Sequence, residues 1–252
     1  SQATFAGQSV VQQKGRSDHH THNWFSALRR VSRHGVLIKA PGALKVVEIL
    51  SIMRVPTPAA RQVAATRDQV AAIVAQADRD NLQTFAVGVL IQFWFGLRAV
   101  DVRGQHLDGE WADGLTWEMI WPDFAGFTKV ISKTSKSLPE PYDFDLTLTP
   151  DIRQRLIDLC DGIPLHERSG PITVSHKTRK PFTTYGWTQA WARCRKRSGV
   201  PKEIKLMDTR AGALTDASSI EGVTQIMLRN AGQHKDAATT GRYLRERSRD
   251  AN

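Results

Sequence analysis

A mainly helical α+β fold is what the sequence predicts, and three observations carry that expectation. Apolar residues recur at helical spacing over most of the 252 residues. One run, Phe85 to Leu97, is 13 residues long and interrupted by Gln92, so it reads as a buried helix too short to cross a bilayer. Between residues 115 and 148 the pattern changes. There Trp117, Ile120, Val130, Ile131, Phe144 and Leu146 stand among Pro and Gly, which predicts two or three short antiparallel strands.

The elements follow in order. Trp24, Phe25, Leu28 and Val31 have helical spacing, with Gly35 and Pro41 expected to stop the helix. His19, His20 and His22 precede it and read as a polar loop, because no carboxylate or cysteine accompanies them at metal-ligand spacing. A second helix is expected over Leu44–Met53, then a stiff extended segment, Val55-Pro56-Thr57-Pro58, that suits a boundary. Residues 1–60 are therefore read as a partial helical module with its linker, and 61–252 as the main domain. The main domain opens on Thr66 with Gln69 three residues on, a capping-box pattern before Val70, Ile73 and Val74. A very apolar helix follows at about 82–95. Helical spacing returns at 150–160, 184–198, about 209–218 and 221–231, and a last helix is expected to start near Ala237 and carry Tyr243.

The composition is that of an ordinary globular chain, 40% hydrophobic and 24% charged. Its formal net charge is +10, which suits a polyanionic partner, with nucleic acid the usual candidate. The charge is uneven. Residues 1–66 carry nine Lys/Arg against two Asp/Glu, residues 67–189 carry 13 against 16, and residues 190–252 carry 13 against 7. Both ends of the chain are thus expected to supply most of a phosphate-binding face. Two cysteines, Cys160 and Cys194, fit a reducing cytoplasm and lack metal-ligand spacing. No charged segment followed by an apolar one opens the chain, so secretion is not expected.

The chemistry is carried by a few residues near the C-terminus and one far upstream. Tyr243 sits nine residues after His234, Arg210 lies 33 residues before that tyrosine, and Arg98 lies 112 before Arg210. Alone, each has an ordinary explanation in packing or surface charge. Together they are the equipment to attack a phosphodiester without a metal. Arginine forks hold non-bridging oxygens, and a tyrosine hydroxyl can become the covalent nucleophile.

Four motifs resemble those of the tyrosine recombinases, the family of phage integrases and Xer-type recombinases. Gly96-Leu97-Arg98-Ala99-Val100-Asp101 looks like the first arginine box, in which a carboxylate three residues on buttresses the arginine. Ile131-Ser132-Lys133-Thr134-Ser135-Lys136 looks like the hairpin lysine motif, and Met207-Asp208-Thr209-Arg210 like the second arginine box. Gly232-Gln233-His234 and Thr239-Thr240-Gly241-Arg242-Tyr243 look like the final box and nucleophile. Residues 206–213, with Gly109-Glu110-Trp111 and Gly114-Leu115-Thr116-Trp117, resemble an integrase-like bacterial branch.

The resemblance implies a catalytic domain of helices with a small antiparallel sheet over residues 61–252, preceded by part of a core-binding module. It implies that Tyr243 attacks a scissile DNA phosphate, leaving a 3′-phosphotyrosyl enzyme and a 5′-hydroxyl. Arg98, Arg210 and His234 would hold the phosphate, with Asp101 in support. Lys133 would protonate the departing oxygen, with Lys136 the alternative for that role. No cofactor and no metal are implied. Partners would be double-stranded DNA, other protomers in a synaptic tetramer, and a directionality factor, in a bacterial or phage-encoded setting. The nine residues after Tyr243 are short for passing a C-terminal helix to a neighbour.

One position departs from the pattern. Met207 stands where the second arginine box usually has histidine or lysine, and a thioether is a weak acceptor that cannot serve as a general base. Two alternatives to recombination stand beside it: a catalytically impaired DNA-binding protein on the same scaffold, motivated by Met207, and a type IB topoisomerase-like enzyme, which shares the active-site logic.

Overall fold

The computed structural model describes residues 18–55, 57, 61–133, 135 and 140–232. The chain divides into two compact units, Ser1–Arg61 and Gln62–Asn252.

In the first unit, helix α1 (Asp18–Leu37) packs against α2 (Ala43–Ile52) around buried Phe25 and Leu50. Arg29 ties the pair together. Its guanidinium donates to the carbonyls of Leu50 at 3.2 Å and Met53 at 2.8 Å, where a helix C-terminus leaves carbonyls without partners and favours a cation. Two expectations are corrected here. His19, His20 and His22 belong to the first turns of α1, not to a loop, and Asp18 is the acidic residue that favours a helix start there. Gly35 does not stop the helix, which runs on to Leu37. A glycine inside a helix costs about 1 kcal/mol, which the packing of a helix pair readily offsets.

The second unit is organised around α4 (Gln83–Trp94). Phe85 through Phe93 are all buried, including Gln92, and a helix that is apolar on every side is stable only when other elements surround it. Helices α3 (Arg67–Arg79), α5 (Ala99–Arg103), α6 (Pro150–Cys160) and α8 (Asp208–Ser218) pack around it. Helix α7 (Thr184–Arg197) packs on α3, and α9 (Gln225–Ala231) packs on α8.

The capping box expected at Thr66 is present. The Gln69 N–H donates to Thr66 Oγ1, and the Thr66 N–H donates to Gln69 Oε1. Three acidic residues then anchor the outer helices. Asp78 receives two 2.9 Å bonds from Arg155 of α6, and Asp80 pairs with Arg193 and Arg197 of α7. Asp216 of α8 pairs with Arg67, whose guanidinium also stacks on Trp94.

The strands differ in detail from the expectation. Among the described residues there are two separate two-stranded antiparallel sheets. Strand β1 (Gln105–Leu107) pairs with β2 (Glu110–Ala112), and β3 (Gly126–Lys129) pairs with β4 (Tyr142–Asp145). The first sheet lies before residue 115. Trp117 sits in a 3-10 turn, Trp117–Met119, and Ile120 makes only an isolated bridge to Phe127. The second sheet is fixed to α4 by aromatic contacts. Phe127 and Phe144 are paired across it, stacked at 4.7 Å, and Phe95 meets both edge-on at 5.4 and 5.5 Å. Phe95 caps α4 immediately before Gly96-Leu97-Arg98, so the sheet is seated where the first arginine box begins.

Gly212 shows how tightly α8 is enclosed. A Cβ there would overlap the carbonyl oxygen of Ala65, whose N–H donates to Asp208 O at 3.0 Å. A glycine-to-alanine change inside a helix ordinarily stabilises by up to about 1 kcal/mol. Gly212→Ala is expected to do the opposite, lowering stability by about 3 kcal/mol because backbone cannot move aside cheaply. Urea unfolding of the two proteins checks the sign.

Candidate active site

Arg98 follows the turn that ends α4 and is the N-cap residue of α5. Leu97 beside it is fully buried and fixes the turn to the core. The Arg98 Nη1 atom is buried and has no hydrogen-bond partner among the described residues. A buried donor without an acceptor is costly, so a site of this kind is suited to an incoming anion.

Arg210 lies in the first turn of α8 and is 4% exposed. Its Nη1 donates to the carbonyl of Gly96 and its Nη2 to the carbonyl of Gly232. Gly96 is two residues before Arg98, and Gly232 is two residues before His234. One guanidinium therefore ties the second arginine box to the first and to the start of the final box. His234, Tyr243 and Lys136 lie outside the described residues.

The start of α8 is held from the core side by Gln92. Its Nε2 donates to Thr209 Oγ1 at 2.6 Å and to Leu206 O at 3.1 Å, and Thr209 Oγ1 donates to Leu206 O at 2.8 Å. Asp208 is buried, and its Oδ2 accepts from the Lys205 N–H at 2.7 Å. Met207 is the N-cap of α8 and is 67% exposed, so the thioether faces outward where the family pattern places a histidine or lysine.

Asp101 is fully buried, and its Oδ1 accepts from both the N–H of Ser132 at 2.9 Å and the Ser132 hydroxyl at 2.7 Å. Those bonds lead to the turn carrying Lys133, whereas the expectation had Asp101 buttressing Arg98. Its link to Arg98 is through the main chain, the Asp101 N–H donating to Arg98 O at 2.9 Å. Lys133 itself is exposed. A different lysine of the hairpin, Lys129, is 2% exposed, and its Nζ donates to the carbonyls of Asp113 at 2.8 Å and Gly114 at 3.0 Å. Burial pushes the Lys129 pKa below the usual lysine range, while the charges of Asp101 and Asp113 pull it back up.

Gln92, Ser132 and Lys129 were not singled out by sequence reasoning. Gln92 left a signal, as the polar interruption of an apolar run, but its partner lies 117 residues away. Among the described residues no group of three or more His, Cys, Asp or Glu is placed to hold a metal ion, and no helix is long and apolar enough to cross a membrane.

Arg210→Lys tests the junction, because an ammonium on a single stem cannot span two carbonyls in a fixed fork. It is expected to lower stability by about 2 kcal/mol, the order of a hydrogen bond to a charged group. A change below about 0.5 kcal/mol in urea unfolding would mean the junction carries little.

No protein-family model and no curated protein sequence matches the chain. Solved structures do match in fold. A dimer of lambda integrase (75–356) bound to a COC′ core site aligns with a TM-score of 0.68 at 16% identity, over 99% of this chain and 81% of that one. The Tn1549 transposon integrase (aa 82–397) in complex with circular intermediate DNA aligns at 0.58 and 14%, over 99% and 82%. XerA recombinase aligns at 0.54 and 15%, over 96% and 86%. With its mainly helical architecture and small antiparallel sheets, the chain has the fold of the tyrosine recombinases.

Proposed function

We propose that this chain is a site-specific DNA recombinase or integrase of the tyrosine type. It cleaves and rejoins DNA strands through a 3′-phosphotyrosyl intermediate on Tyr243. The observation that supports it most is the Arg210 junction, which brings the first arginine box, the second arginine box and the approach to His234 to one place. Arg98, with a buried Nη1 that has no hydrogen-bond partner among the described residues, fits the same reading as a holder of non-bridging phosphate oxygens.

In this mechanism the Tyr243 hydroxyl loses its proton to solvent while its oxygen bonds to phosphorus and the bond from phosphorus to the 5′ oxygen breaks. Arg98, Arg210 and His234 stabilise charge on the non-bridging oxygens, a role in which preorganised donors are worth several kcal/mol. Lys133, exposed on its turn, gives a proton to the leaving 5′ oxygen, with Lys136 as the alternative. The phosphotyrosine conserves the energy of the phosphodiester, so rejoining needs neither ATP nor a metal. Double-stranded DNA is the substrate. Further protomers assemble on it as a synaptic tetramer, a directionality factor acts on the assembly, and residues 1–60 contribute part of a core-binding module. The setting is the cytoplasm, with a bacterial or phage origin.

Met207 favours a second reading, a DNA-binding protein on this scaffold that does not cleave. Covalent capture separates the two. Nicked duplexes tiling the DNA beside the gene should yield a denaturant-resistant protein–DNA band that Tyr243→Phe abolishes. Binding without any band on every duplex would favour the non-cleaving reading. Relaxation of plasmid lacking a special site would instead mark a topoisomerase-like enzyme.

The exposed position of Met207 also gives a gain-of-function test. Met207→His meets no packing obstacle there and supplies a side chain able to take a proton. Single-turnover cleavage is expected to rise by about 10²-fold. An unchanged rate would show that the tyrosine proton leaves by another route.

A further inference from the structure

The turn that carries Lys133 is fastened to the helix that carries the first arginine box, and the fastening consists of one buried carboxylate and one serine. We propose that Asp101 and Ser132 are positioning residues that set the Lys133 ammonium at the leaving 5′ oxygen. This inference deepens the cleavage reading and rests on it.

Ser132 gives Asp101 Oδ1 both of its donors, main-chain N–H at 2.9 Å and hydroxyl at 2.7 Å. Two bonds from one residue to one carboxylate oxygen fix the main chain and the χ1 rotamer together. The preceding residue, Ile131, is fully buried, and Ser135 Oγ closes the turn from the other side by donating to Ser132 O at 2.9 Å. The turn is thus pegged by an apolar side chain and, one residue later, by a charge-assisted pair. Lys133 is the next residue and is exposed.

The carboxylate is fixed just as firmly on its own side. Asp101 is fully buried in the first turn of α5, three residues after Arg98, and its N–H bonds Arg98 O at 2.9 Å. The residue proposed to hold phosphate and the residue proposed to protonate the leaving group therefore share one anchor. A buried negative charge needs compensation, and the positive charge of Lys129 acts on Asp101 from within the same hairpin. Lys129 is not itself placed for proton transfer, because its Nζ is buried and donates to two carbonyls.

Positioning differs from general support in one measurable way. A 5′-bridging phosphorothiolate releases a thiol, whose pKa of about 8.5 makes it a leaving group that needs no protonation. Ser132→Ala removes the hydroxyl bond and is expected to slow cleavage of ordinary DNA by about 10- to 100-fold, since small misplacements of a catalytic group cost that much. On the phosphorothiolate its rate should return to within about threefold of wild type, as should that of Lys133→Ala. Ser132→Thr keeps the hydroxyl and should stay close to wild type on both substrates. Asp101→Asn keeps the acceptor and loses the charge, so it serves as a second variant with the same expected rescue.

A Ser132→Ala deficit that is equal on both substrates would overturn the positioning role, and so would the absence of a deficit on ordinary DNA. Failure of the phosphorothiolate to rescue Lys133→Ala while wild type cleaves it would overturn it too. Wild-type protein that cleaves neither substrate would overturn the cleavage reading and this inference with it, which sets that failure apart from the others.

Discussion

A guanidinium buried at the start of α8 is the contact on which the remainder of the site depends. Arg210 is 4% exposed, and a charge placed there is tolerated only when oxygen atoms surround it. Two of those oxygens are main-chain carbonyls, from Gly96 and Gly232. Carbonyl acceptors are dipoles, so these bonds stabilise the guanidinium without cancelling its charge. They also couple positions distant in sequence, because neither carbonyl can shift without breaking a charge-assisted bond. The same residue thus contributes to the fold and to the field of the site.

The junction works only because both sides of it are already rigid. On one side is α4, buried from Phe85 to Phe93, with Phe95 at its end set edge-on against the stacked rings of Phe127 and Phe144. On the other is α8, held by Gln92 through Thr209 and Leu206, and enclosed so closely that position 212 has no room for a Cβ. Gln92 is a polar side chain in the most apolar helix of the chain. Its Nε2 is satisfied by Leu206 and Thr209 of the second arginine box region and so orients α8, while its Oε1 is buried with no hydrogen-bond partner among the described residues.

Features set by local periodicity were legible in the sequence. The capping box at Thr66 and Gln69 was readable because both partners lie within four residues. The apolar run that became α4 was readable because burial on all faces leaves no polar stripe. The hairpin of β1 and β2 was missed, although Asp108-Gly109 between them is a turn signal and both residues have positive φ, 51° and 91°. Its strands are only three residues each and none of those residues is buried, so no hydrophobic alternation marks them. The histidines of α1 misled for the opposite reason, since a polar first turn resembles a loop until its partner helix is known. The four motifs gave the candidate site residues by resemblance, but not what Asp101 touches. Its partner is Ser132, 31 residues on, and no periodicity reports a hydrogen bond across that separation.

The two ends of the proposed reaction are built unequally. On the leaving-group side, Lys133 lies in a turn pegged by Ile131 and by the Ser132–Asp101 pair, with the buried Lys129 charge acting on the carboxylate. On the nucleophile side, position 207 presents an exposed thioether at the N-cap of α8. A tyrosine hydroxyl has a pKa near about 10, so most of it stays protonated at neutral pH unless a base or a field assists. In the proposed mechanism Arg98 and Arg210 would contribute to such a field, because nearby cations favour the phenolate over the phenol. In this arrangement electrostatics does at the nucleophile what a positioned proton donor does at the leaving group. Methionine at 207 is then compatible with chemistry at the neighbouring arginines, at the cost of one proton acceptor.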